Sequence, residues 1–336
     1  MTMVTEESIN PGEKAREIAK RVFKHENFVL VIVLLVITVS LAVITKGVSI
    51  RSTNIKNIIL FSAPRGLVAI GQFFVILTAG IDLSLAGTAV MCVLLGGRMM
   101  TLMAAKQIFH PPLSVTQTIP IMLLAGLVVG AFNGTIVSRV GVPALIVTLG
   151  MSIMAKGGGL LISMGSVYEL PRELAFIGQG EIGGVPVSII IFAAVAAVAH
   201  FILYHTTFGK SVYAVGGNPV TAYLSGIRTK SVLLTVYMIS GVLAALAALI
   251  LLSRTLVATN VMAQGLELDS IAACVLGGVS LSGGRGSLIG VIIGVLIIST
   301  INNGMIVLAV DPRIQDLVRG GVIFAAVAVD SWRRKR

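Results

Sequence analysis

Residues 231–253, SVLLTVYMISGVLAALAALILLS, contain no Asp, Glu, Lys or Arg. A helix needs roughly 20 apolar residues to cross the hydrocarbon of a bilayer, and this stretch is longer than that. Residues 28–45, 119–138 and 286–310 are uncharged in the same way. Over the 336-residue chain, hydrophobic types make up 56% and charged types 12%, about half the charge of an ordinary soluble domain. The chain reads as an integral membrane protein. Lipid leaves backbone polar groups no partner outside a helix or a closed barrel, and the strict alternation of a barrel is absent. The expected fold is all-α, a polytopic transmembrane bundle.

Spans are expected near 28–45, 58–80, 84–104, 119–138, 143–164, 186–204, 231–253, 268–284, 286–309 and 314–331. The runs 66–81 and 83–97 are short and meet at Asp82, so broken or half-crossing helices put the count at eight to ten. With 27 residues before it and no small-x-small pattern after it, the first run is expected to remain as a span. The net charge is +11, but the basic residues form no patch interleaved with aromatics, which argues against a nucleic-acid partner. Their distribution follows topology instead. Fourteen of the 25 Lys and Arg fall on the side of Lys14, Arg139, Lys210, Arg285 and the Arg333–Arg336 tail. The positive-inside rule places that side, with both termini and the 205–230 loop, in the cytoplasm. The domain reading is a charged amphipathic segment at 1–27, a transmembrane domain at 28–331 and a basic tail at 332–336. Cys92 and Cys274 lie inside apolar runs and read as buried thiols.

The longest polar interruption in the second half is 205–230, HTTFGKSVYAVGGNPVTAYLSGIRTK. Asn218 suits an N-cap, Pro219 the first helical position and Gly226 the left-handed residue that ends a helix. A helix over about 219–225 follows, with Val220, Tyr223, Leu224 and Ile227 on one stripe and Ala222 and Ser225 leaving a flank of small side chains. Two turns do not hold themselves together in water. The stripe either anchors the helix to its own spans, leaving Ala222 and Ser225 to a partner, or meets the partner itself.

Elsewhere, Gly80-Ile81-Asp82-Leu83-Ser84 closes a span containing Pro64 and Arg65, as in a broken helix that presents polar ends to a solute. The plainer reading is that Asp82 or Ser84 caps the next helix. Arg65 needs a carboxylate or backbone partner. Gly126, Gly130 and Gly134, and Gly286, Gly290 and Gly294, recur every fourth residue, which lets helices approach closely. Asn133, Asn302 and Asn303 either bond between helices or line a wet path. An echo runs from Asp82, Cys92–Gly97 and Asn133-Gly134 to Asp269, Cys274–Gly278 and Asn303-Gly304, suggesting two loosely related halves. The outer segment 165–185 either seats a soluble protein or connects spans. Residues 278–287, GGVSLSGGRG, read as a tight turn, since no GxxxxGK[ST] is present. No catalytic triad, metal cluster or nucleotide fingerprint appears.

Four motifs in order, Gly80-Ile-Asp-Leu-Ser84, Pro143-Ala-Leu-Ile-Val-Thr-Leu-Gly150, Phe208-Gly209 through Gly216-Gly217-Asn218-Pro219 to Ala222 and Ser225-Gly226, and Glu267 to Gly284, resemble the permease subunits of binding-protein-dependent ABC importers of the ribose/galactose/xylose family. The likeness runs from about residue 55 to the C-terminus. Leu85 stands where that family often has Val, and Ser270 where it often has Ala. The resemblance implies a non-enzymatic transport subunit of the inner membrane that pairs with a second copy of itself. It further implies a cytoplasmic ABC ATPase holding ATP and Mg, an extracytoplasmic sugar-binding protein and a monosaccharide cargo, with no cofactor on this chain. Gly216, Gly217, Asn218, Pro219, Ala222, Ser225 and Gly226 would form the coupling helix, and Asp82, Ser84, Asn133, Asn302 and Asn303 would line the path. The alternative is an ion-coupled secondary sugar transporter using Asp82 and Asp269.

Overall fold

The computed structural model describes residues 26–334. The amphipathic segment expected at 1–27 therefore lies outside the described residues up to residue 25, as does the tail beyond Arg334. Among the described residues the chain is helical almost throughout. The first half runs α1 (Glu26–Ile44), α2 (Ser52–Leu77), α3 (Ser84–Met100), α4 (Val115–Thr135, extended by one wider turn to Val140), α5 (Ala144–Ser163) and the short α6 (Ala175–Gln179). A two-stranded hairpin, β1 (Glu181–Ile182) with β2 (Val185–Pro186), leads to α7 (Val187–His205) and the short pair α8 (Thr207–Gly217) and α9 (Pro219–Leu224). Then come α10 (Thr229–Thr255), α11 (Leu266–Leu276), α12 (Leu288–Val307) and α13 (Pro312–Arg334).

Six of these helices, α2, α4, α5, α7, α10 and α12, are long and apolar enough to cross a membrane, and α1 and α3 supply shorter apolar helices. With the 11-residue α11 and the charge-bearing α13, every expected span has its helix; of the two runs expected as half-crossings, 66–81 lies largely in the continuous 26-residue α2 and 83–97 in the 17-residue α3. α3 packs on α4 and α11 on α12, but Asp82 precedes α3 whereas Asp269 lies inside α11, so the two echoed stretches take different places in their helices.

The core is built around α2 and α10. From Ser62 to Thr78 every residue except Arg65 is buried. α2 passes Pro64 without breaking and ends at Leu77, so the discontinuity lies at 78–83. The α4 glycine row sits on α10: a Cβ at Gly126 would overlap the carbonyl oxygen of Gly241, one at Gly130 that of Tyr237, and one at Gly134 would stand 2.9 Å from the Leu234 Cα. Gly294 of the second row meets Ala273 of α11 in the same way. Without a hydrophobic drive between helices in lipid, such close backbone approach contributes van der Waals packing alongside the interhelical hydrogen bonds.

Two ends of the bundle are thus defined. One carries α8, α9 and the Gly278–Ser287 turn, the helix-pair face. The other carries α6 and the hairpin, tied down by a Val167–Ala258 bridge and the Lys56–Glu181 ion pair, the hairpin face.

Candidate docking helix and buried polar groups

Local sequence builds the helix-pair face. The Thr206 hydroxyl accepts from the Gly209 amide at 3.2 Å and starts α8. Asn218 is extended, which ends α8 and lets its Oδ1 accept from the amides of Val220 (3.0 Å) and Thr221 (2.9 Å), capping α9 with Pro219 in its first turn. Gly226 takes φ +84°, a conformation that costs glycine little, and the Ile227 amide closes back onto Ala222 O at 3.0 Å. The orientation of α9 within the chain is clear. Ala222 is turned into the chain at 4% exposure, whereas Val220, Tyr223 and Leu224 are 65%, 68% and 78% exposed. Ser225 is exposed as well. A cleft of about 320 Å³ beside α9 is lined by Phe208, Ser211, Gly226, Ile227, Arg228 and Ser231, among others.

Beneath α9 the end of α8 is locked to the end of α2. A Cβ at Gly216 would overlap the carbonyl oxygen of Leu77, and the Gly284 amide donates to that same oxygen at 2.9 Å. The 278–287 stretch is the tight turn its glycines suggest, with the Gly283 amide donating to Ser280 O at 3.0 Å. Tyr213 of α8 donates its hydroxyl to Gly286 O at 3.0 Å. Burial, and then the neighbouring Tyr204, push the Tyr213 phenol above its ordinary range, so it stays a donor.

Leu77 leads directly into the discontinuity at 78–83. Asp82 is buried there, and Oδ1 accepts from the Ser84 amide (2.9 Å) and hydroxyl (2.6 Å) while Oδ2 accepts from the Ser240 hydroxyl (2.7 Å). Asn133 Nδ2 donates to Ser84 Oγ at 2.8 Å. The Gln72 carboxamide, in the orientation that satisfies both groups, pairs with the Asp82 backbone at 2.9 and 3.3 Å. Thr148 Oγ1 accepts from the Leu83 amide at 3.0 Å and donates to Ala144 O at 2.9 Å. Asp82, Ser84 and Asn133 are therefore one cluster, which joins α2, α3, α4, α5 and α10. Ser240 and Gln72 are not singled out by the sequence, and Thr148 enters only as part of the Pro143–Gly150 motif. Each is one uncharged polar residue in a long apolar run, and only the fold shows that they converge.

Asn302 and Asn303 go elsewhere. Asn303 Oδ1 accepts from Asn54 at 2.8 Å. Asn302 belongs to a chain in which Arg65 Nε meets Asp269 Oδ2 at 3.1 Å, Asn302 Nδ2 meets the same oxygen at 3.4 Å, and Arg319 Nε donates to Asn302 Oδ1 at 3.2 Å. Arg65 also donates to Phe61 O at 3.1 Å, so the intramembrane arginine has both kinds of partner. The five expected path residues thus form three separate groups. Asp82 and Asp269, the acids an ion-coupled carrier would use, are each held in hydrogen bonds to neighbouring helices.

An all-helical bundle with six helices long and apolar enough to cross a membrane, and with polar side chains joined across its helices, is the architecture of a multi-pass membrane protein. The chain belongs to the family described as branched-chain amino acid transport system/permease component, which it matches over residues 54–327. It is 36% identical over 284 residues to the ribose import permease protein RbsC of Haemophilus influenzae, a match covering 83% of this chain and 85% of that one. To the D-allose transport system permease protein AlsC of Escherichia coli it is 36% identical over 282 residues, 84% of each. To the galactose/methyl galactoside import permease protein MglC of Salmonella typhimurium it is 34% identical over 317 residues, 90% of this chain and 94% of that one. No solved structure matches.

Proposed function

We propose that this chain is the membrane-spanning permease of an ATP-driven, binding-protein-dependent importer in the inner membrane, and that its cargo is a monosaccharide. The relatives named for ribose, allose and galactose support a sugar over the amino acids in the family description. The observation that carries the coupling is α9: a capped helix whose apolar stripe is bare and whose base, through Gly216, rests on the last carbonyl of α2. An ATPase seated on Val220, Tyr223 and Leu224 would move α9 with α8, which it directly follows, and through α8 the 278–287 turn and the Asp82 junction, because Gly216 and Gly284 both meet the Leu77 carbonyl. Small shifts at such a packed junction are passed on rather than absorbed.

In this reading the helix-pair face and both termini are cytoplasmic, ATP and Mg reside on the ATPase, and the hairpin face receives a sugar-binding protein. A second copy of the chain completes the permease. The test is reconstitution of the permease with its ATPase and binding protein in liposomes. Uptake of ribose, allose or galactose that requires ATP supports the reading, and uptake driven by a proton or sodium gradient without ATP refutes it.

A further inference from the structure

We infer that a cleft on the hairpin face is an entry site for the sugar, with Arg254 as its central contact; this rests on the transport function proposed above. The cleft measures about 480 Å³ and is lined by Thr53, Lys56 and Asn57 of α2, Gln179 of α6, Glu181 of β1 and Arg254 of α10, among others. That volume falls in the range of small-molecule sites. Contacts within the chain hold its walls in place. The Gln179 carboxamide donates to Arg254 O at 2.8 Å, a Cβ at Gly178 would stand 2.6 Å from the Arg254 amide nitrogen, and Lys56 pairs with Glu181.

Arg254 is the group left over. Its guanidinium lies 3.7 Å from the centroid of the Phe61 ring, and among the described residues its side chain makes no hydrogen bond or ion pair. Stacking on a ring orients the guanidinium while leaving its five N–H donors uncommitted. Arg65 lies over the same ring at 5.8 Å, but its donors go to Asp269 and Phe61 O. The second cation beside Arg254 strengthens the demand for an oxygen acceptor. A solute in the cleft would meet it. Adjacent hydroxyls of a sugar present two oxygens to the guanidinium fork, and each hydroxyl also donates. The other walls suit those donors, since Thr53 and Asn57 carry acceptors and Glu181 is a carboxylate. The Glu181 charge in the same cleft repels a second anion, which favours a neutral polyol over a carboxylate or phosphate. The site lies at the start of α2 and the end of α10, the outer ends in the topology proposed above, where a sugar leaving a binding protein would arrive.

The experiment uses the full-length permease in lipid nanodiscs, without ATPase or ATP, and the probes ribose, allose, galactose and, as an anion, sulfate. Asn57→Cys places an exposed thiol in the cleft, whereas the two native thiols are buried. A membrane-impermeant maleimide should label it at a rate that falls saturably with at least one of the sugars and is unaffected by sulfate. A thiol at Glu173→Cys, exposed and outside the cleft lining, should label at one rate throughout. Added to Asn57→Cys, Arg254→Lys keeps the charge but loses the fork, and should raise the half-protecting sugar concentration about tenfold, the loss expected for one charge-assisted hydrogen bond. Thr53→Val alters an exposed lining residue and should raise that concentration by a smaller factor, a second reading that holds even where Arg254→Lys lowers the unfolding midpoint. Absence of protection by all three sugars, protection by sulfate alone, or protection unchanged in both variants overturns the entry site. Protection requires no transport, so a reconstituted complex that moves none of the three sugars would refute the transport reading itself, while a cleft they protect would stand as a sugar site.

Discussion

Gly216 packs its backbone directly on the carbonyl oxygen of Leu77, leaving no room for a side chain, and the Gly284 amide bonds to the same oxygen at 2.9 Å. One backbone atom at the end of α2 therefore holds α8 and the 278–287 turn together, five residues before Asp82.

The two neighbouring glycines separate that role cleanly. Gly216→Ala places its Cβ into Leu77 O and 2.5 Å from the Gly284 amide, so α8 must shift. Overpacking of this kind costs about 1–3 kcal/mol. Gly217→Ala meets nothing within 4 Å and should leave stability unchanged. Thermal unfolding of the two variants in detergent checks the difference, and equal midpoints would show that the junction yields.

The bare stripe of α9 predicts a second separation. Tyr223→Asp and Leu224→Asp alter exposed side chains, so the permease should fold normally while its association with the ATPase weakens about 30-fold or more, the loss expected for a central contact worth about 2 kcal/mol. Ala222→Leu acts differently. Its site is buried in the chain itself, so a bulky residue there should lower stability before docking is tested. Co-purification with the ATPase, read beside unfolding midpoints, distinguishes the cases.

Much of this was legible from sequence because the signals are local or periodic. Ten apolar runs, the Asn218-Pro219 start, the Gly226 stop and the close-packing glycine row of α4 need only neighbours in the chain. The orientation of α9 was not legible, since its apolar stripe suits a self-anchor as well as a partner, and only the fold shows that Ala222 takes the inward position. Polar partnerships were the least legible. Asp82 and Ser240 are far apart in sequence, and nothing in either run marks the other. The grouping of Asn302 with Asn303 failed for a helical reason: adjacent residues point about 100° apart, so one faces Asp269 and the other Asn54.

Asp82 should prove structural. With its carboxylate accepting from Ser84 and Ser240, Asp82→Asn keeps one acceptor, and the Ser240 hydroxyl can rotate to accept from the new amide. Uptake should persist, remain dependent on ATP and ignore proton and sodium ionophores. Asp82→Ala strands those donors and should lower stability by about 1–3 kcal/mol. Loss of all uptake in a folded Asp82→Asn variant would instead revive an ion-coupled carrier.

The Arg65–Asp269 pair gives the most demanding prediction, because its two single variants and the double variant should not add. Arg65 and Asp269 are 17% and 7% exposed at the side chain, so removing either leaves an uncompensated charge among helices. Such a loss costs about 3–5 kcal/mol. Among the described residues Arg65→Met leaves Asp269 with the 3.4 Å contact from Asn302, and Asp269→Leu leaves Arg65 with the Phe61 carbonyl and ring. The double variant removes both charges and replaces them with apolar groups, so most of the lost stability should return. The neighbouring Arg319–Asp316 pair is a contrast: Asp316 is 77% exposed, and Asp316→Ala should change stability by less than about 1 kcal/mol. Unfolding measurements on this set form a double-mutant cycle. A double variant as unstable as the sum of its singles would mean that α2 and α11 are held by something other than this ion pair.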